Sequence, residues 1–168
     1  MTSPAVSNQS LAWQRVFVVG FIIFFVCSAL GVTIWGFQVT SKVKAQAVET
    51  DVAIRSVGWL MLAAAADHGG FPTRDAGLQG IASPEALPTV FVGLDLPANR
   101  EEALQGRDPM ALEDAMKILT VIWPPDTTLP PVVRTDGRPS GLGTLVLVNN
   151  WLIEAARHLS TEKADEGG

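Results

Sequence analysis

The chain has 168 residues, of which 48% are hydrophobic and only 17% charged, with a net charge of −5 at pH 7. That length suits one ordinary domain, and the charged fraction is low for a soluble one. The acidic balance excludes a basic nucleic-acid-binding face, and a single cysteine excludes a disulfide framework.

In chain order, residues 1–14 are small and polar and read as a flexible tail. Residues 15–41 follow as a transmembrane helix, with no charged side chain from Val16 to Ser41. About 20 apolar residues suffice to cross a bilayer as a helix. Trp13 and Trp35 would lie roughly 33 Å apart along such a helix, the spacing of two interfacial aromatic belts. Arg15 on one side and Lys42 and Lys44 on the other complete the interfacial anchors. The Ala45-Gln46-Ala47 step has the form of a signal-peptide cleavage site, but the apolar run is too long for a usual signal core, so an uncleaved anchor is expected.

Within the span, Gly20, Cys27 and Gly31 fall on one helical stripe, while Phe17, Phe21, Phe24 and Phe25 gather on another side. A small stripe lets a neighbouring helix approach closely. These residues are the candidate helix-packing positions.

The helix is expected to run on past the membrane. From Lys42 to Asp67 there is no proline and one glycine, Gly58, and Val48, Val52, Trp59 and Leu62 keep a helical rhythm. His68 and Gly69 or Gly70 then supply a C-terminal stop. Thr73 is placed to cap a short helix through Leu78. Pro88–Leu94 alternates like a strand. Asn99–Leu104 reads as a helical turn, and Asp108-Pro109 as the opening of a helix to about Val121. Residues 123–131 form a proline-rich connector, and Asp136-Gly137 a turn. Thr144–Val148 reads as a strand, Asn149 and Asn150 as caps for a helix over Trp151–Leu159, and 161–168 as a disordered tail. The expected fold class is α+β. A transmembrane helix continues into a long spine, packed by a small mixed domain over residues 42–160.

The catalytic inventory is thin. His68 and His158 are distant in sequence, and no nucleophile elbow, Walker A or dinucleotide fingerprint occurs. No catalytic, cofactor or metal residues are assigned, so no enzyme activity is expected. Ala64 and His68 resemble the small-residue-to-histidine spacing of light-harvesting polypeptides, but they lie far beyond the apolar run. The only non-protein contacts expected are bound lipid or a neighbour's pigment.

Asp67, Gly69, Phe71, Pro72, Thr73, Gly77 and Leu78 match a turn that resembles one in type II secretion major pseudopilins and related type IV pilin-like proteins. The resemblance implies a pilin-like layout, in which one long helix is half membrane and half soluble. The family's early acidic residue in the apolar helix is absent here, as is its leader-peptidase site. That departure implies a pilin-like shape put to another use.

The expected function is therefore a non-enzymatic, single-pass accessory subunit that stabilises or assembles a larger membrane complex, of respiratory or photosynthetic type. A pilin-like secretion component and a membrane-anchored ligand-binding module are the alternatives. The expected partners are other membrane-protein subunits and the bilayer, with no nucleic acid. Lys42, Lys44 and Arg55 taken alone favour a cytoplasmic C-terminal domain. Yet all 17 acidic residues lie beyond Lys42, and large domains translocate with little regard to charge. The expectation is a bacterial inner membrane protein with a periplasmic C-terminal domain.

Overall fold

A computed structural model describes residues 8–81, 83–91 and 93–166. The chain divides into two compact units, Met1–Val43 and Lys44–Gly168. Helix α1 (Asn8–His68, 61 residues) runs through both.

In the first unit α1 begins at Asn8, inside the stretch whose composition reads as a flexible tail; residues 1–7 lie outside the described residues. Ala12 and Gln14 are good helix formers, and no glycine or proline interrupts residues 8–14. From Trp13 onward the described side chains are almost all exposed. A helix apolar all round belongs in a protein core or across a membrane, and this stretch has little protein cover among the described residues.

The second unit is built on the rest of α1. Ala53, Ile54, Val57, Trp59, Met61, Leu62, Ala64 and Ala65 are buried there. That set covers most of the helix circumference, so packing must come from several sides. Fully burying a side chain such as Ile54 or Leu62 contributes about 1.5–3 kcal/mol. Helix α4 (Thr144–Glu166) supplies much of the cover. Its buried residues Thr144, Val148, Trp151, Leu152, Ala155, Ala156 and Leu159 recur at helical spacing. The closest approach is at Gly58, where any side-chain atom would overlap the Val148 methyl. The one glycine in the spine is therefore a packing requirement.

Helices α2 (Arg100–Leu104) and α3 (Leu112–Ile118) are short. Asn99 caps α2 by accepting the Glu102 amide at 2.8 Å, and the Glu102 carboxylate accepts the Ala98 amide at 2.8 Å. The pairing resembles a capping box, displaced by one residue because Glu102 takes the amide before the cap and not that of Asn99 itself. Strands β1 (Thr120–Ile122) and β2 (Val132–Arg134) pair antiparallel, with Val121 opposite Val133 and both buried. The connector between them turns at Asp126, which accepts the Thr128 amide at 2.8 Å. Hydrogen bonds from Thr128, its hydroxyl first, hold the Asp126 carboxyl below the usual carboxylate range.

Four expectations are overturned. Thr144–Val148 is the first part of α4, not a strand. Its short run of Leu and Val mimics a strand, but Val148 packs on Gly58, and burial overrides the weak propensities of β-branched residues. Asn149 is accordingly not a cap but sits inside α4. Its side chain accepts the Val133 amide at 2.9 Å and donates to the Val133 carbonyl at 3.1 Å. It acts as a third partner for the edge of β2.

Pro88–Leu94 forms a 3-10 turn over Thr89–Phe91, with the Phe91 amide donating to the Pro88 carbonyl at 3.3 Å; Val92 lies outside the described residues. A lone apolar run with no neighbouring edge has nothing to pair with. The helix expected from Pro109 begins only at Leu112, and the Met110 amide ahead of it donates to Ser56 Oγ at 2.9 Å. It ends at Ile118, and residues 120–122 are strand.

At the C-terminus α4 extends through Glu166, into the stretch read as disordered; residues 167–168 lie outside the described residues. Glu162, Lys163 and Ala164 are strong helix formers. The mixed helices, small sheet and long apolar helix agree with an α+β class.

Candidate functional site

The candidate packing positions all lie on α1, and each is exposed. Phe17, Phe21, Phe24 and Phe25 are 77%, 68%, 71% and 67% exposed. Cys27 is exposed, and a side-chain atom added at Gly20 or Gly31 would meet nothing within 4 Å. The small stripe thus presents bare backbone, with open space at Gly20 and Gly31 among the described residues. Trp13 and Trp35 are both exposed, as are Arg15, Lys42 and Lys44.

Three hydroxyls on this stretch are satisfied locally. Thr33, Thr40 and Ser41 each donate to the carbonyl four residues earlier, at 2.8 Å. A helix that bonds its own hydroxyls as well as its own backbone can enter hydrocarbon without stranding a polar group. Among the described residues α1 is long and apolar enough to cross a membrane.

His68 closes α1, and the stop is a Schellman arrangement. Gly69 has φ +63°, and the Gly70 amide returns to the Ala65 carbonyl at 3.1 Å. The Phe71 amide donates to the Thr127 carbonyl at 2.9 Å, and a side chain at Gly70 would press on Thr127 at 3.0 Å. Phe71 itself is buried. The glycines and aromatic of this turn are therefore explained by closing the helix and docking the connector. His158 packs its ring on Phe91, with centroids 6.4 Å apart. The two histidines have separate surroundings. Among the described residues no group of His, Cys, Asp and Glu is placed to hold a metal ion.

No family model, curated protein or solved structure matches the chain.

The least ordinary chemistry of the second unit is a charge centre that the residue pattern did not single out. Asp51 and Arg55, one turn apart on α1, are buried, at 6% and 5% exposure. Asp51 Oδ2 lies 3.6 Å from Arg55 Nε and 3.5 Å from an Arg107 guanidinium nitrogen. Arg55 also donates to the Ala103 carbonyl at 2.9 Å, and its guanidinium sits 5.9 Å from the centre of a Trp151 ring. Asp51 Oδ1 and Arg55 Nε make no hydrogen bond.

Asp51 also faces the start of α4. Its Oδ1 would be 2.7 Å from a side-chain atom added at Gly141, with Thr144 Oγ1 at 3.0 Å from the same point. Helix α4 has no acidic residue in its first turn. The carboxylate of α1 supplies the negative charge that a helix N-terminus favours. This centre ties α1, α4 and the loop after α2 together, and it leaves no room for a ligand beside Gly141. Arg55, which read as a flanking charge, is a structural residue. The signal available in sequence was an Asp and an Arg at i, i+4 on an otherwise apolar spine.

Proposed function

We propose that the chain is a non-enzymatic, single-pass subunit that stabilises or assembles a larger membrane protein complex. The observation that carries this reading is the surface of α1 between Val16 and Ser41. It is apolar on every side, uncharged, exposed, and bare at Gly20 and Gly31. Hydrocarbon satisfies the aromatic side, while the bare stripe suits a second helix at short distance. In this reading Trp13, Arg15, Trp35, Lys42 and Lys44 fix the helix in the bilayer, which we take to be a bacterial inner membrane, with the C-terminal unit on its periplasmic side.

The test is purification of the full chain from its native membrane in mild detergent. The expected result is that other membrane subunits accompany it in fixed ratio through a sizing column. A monodisperse monomer sinks the proposal.

A further inference from the structure

The second unit carries an open cleft of about 690 Å³, within the roughly 300–1,000 Å³ of ligand clefts. Leu60 of α1 and Leu78 form part of its lining, and both are buried. Ile81 and Met110, half-buried, line it too. Residues 79–81 and 109–111, which also border it, are irregular main chain. The segment carrying Met110 is pinned to α1 through Ser56, so this wall has a fixed position.

The charge on the lining has one sign. Glu113 and Asp114 line the cleft with exposed side chains, and no Lys, Arg or His does. Lys117 pairs with Asp114 at 2.8 Å. No ion pair to Glu113 occurs among the described residues. The unit as a whole is acidic, holding all 17 Asp and Glu residues. An apolar floor with an acidic rim repels an anionic amphiphile such as a fatty acid or phospholipid. Part of this main chain is already satisfied, the Ile81 amide by the Leu78 carbonyl and the Met110 amide by Ser56, so it is the rim carboxylates that favour a cationic peptide.

We propose that this cleft docks a segment of a partner protein in which apolar side chains are flanked by lysine or arginine. The apolar side chains fill the floor over Leu60 and Leu78, and the cations face Glu113 and Asp114. The proposal rests on the assembly reading above and names the chemistry of one contact within it.

The test uses the full chain in nonionic micelles, with Cys27→Ser removing the native thiol and Ser83→Cys placing one at the cleft. Three chloroacetylated peptides are compared, in which leucine alternates with lysine, glutamine or glutamate. Thioether formation at position 83 is followed by mass spectrometry. The lysine peptide is expected to label about fivefold faster than the glutamine peptide, the scale of one or two exposed ion pairs. That advantage should vanish in high salt and in Glu113→Gln/Asp114→Asn. Should the double variant lose its helical circular dichroism, Glu113→Gln alone serves the same comparison.

Equal labelling by all three peptides, faster labelling by the glutamate peptide, or an advantage that survives the carboxylate changes overturns the proposal. Failure here, in a protein that still co-purifies with partners, removes the cleft and leaves the assembly reading standing. Selective labelling of a protein that purifies alone does the reverse.

Discussion

Replacing Asp51 with alanine is expected to destabilise the C-terminal unit by about 3–5 kcal/mol, the cost of leaving a buried charge without its partner. Arg55 is the charge left behind. It is 5% exposed, it already gives one donor to the Ala103 carbonyl, and its Nε has no other acceptor. Against a typical total stability of about 5–15 kcal/mol, such a loss brings the unit close to unfolding. Denaturant titration of the full chain in micelles, read at the tryptophans, measures it.

Three comparisons give that measurement its meaning. Arg107, whose side chain is 37% exposed, should matter far less, with Arg107→Ala costing about 1 kcal/mol or under. The joint change Asp51→Leu/Arg55→Met should recover most of the loss, because neither charge is then stranded. Asp51→Asn should fall between, keeping the shape while giving up the charge that faces α4. If Asp51→Ala costs under about 1 kcal/mol, Arg55 is reaching water and the buried centre described above is wrong.

The long helix was legible because its evidence is local and repeated. An uninterrupted apolar run, the absence of proline from Lys42 to Asp67, and a Gly-Gly stop all point the same way, and α1 ends at His68. The helical turn over Asn99–Leu104 was legible too, while the cap that Asn99 makes on it emerged only from the structure. Thr144–Val148 was not legible, because a short apolar run is decided by what it packs against, here Gly58 on a distant stretch of chain. The segment from Pro109 is instead fixed by a partner 54 residues away, Ser56, which accepts the Met110 amide. The charge centre was hidden likewise. Asp51 and Arg55 look like an exposed i, i+4 pair until Ala103, Arg107, Gly141 and Trp151 close around them. The cleft is formed by stretches near residues 60, 80 and 111, and no short pattern announces it.

The candidate packing stripe was the reverse case. Its spacing was readable at once, but spacing in a helix fixes only which side residues share. What the structure adds is a comparison among glycines of one helix. A side chain at Gly58 would strike Val148, whereas one at Gly20 or Gly31 would touch nothing in the chain. The first glycine therefore has an internal reason to be glycine. The other two lie on a helix where glycine costs about 1 kcal/mol relative to alanine, with no internal contact to offset it.

That difference yields opposite expectations for the same substitution. Gly58→Ile should lower the thermal stability of the C-terminal unit, since overpacking costs about 1–3 kcal/mol and outweighs the gain in helix propensity. Gly20→Ile/Gly31→Ile should leave that unit's unfolding unchanged. If the stripe is a helix-packing surface, however, two branched side chains there hold a neighbouring backbone away. Loss of close packing on the scale of 1–3 kcal/mol corresponds to about a 5- to 150-fold drop in partner affinity. Subunit stoichiometry after detergent extraction reads the second effect, and circular dichroism melts of the same samples read the first. A Gly20→Ile/Gly31→Ile protein that keeps its partners in full ratio would show that the stripe faces lipid. The complex would then be held by the C-terminal unit or by the aromatic side around Phe17, Phe21 and Phe24.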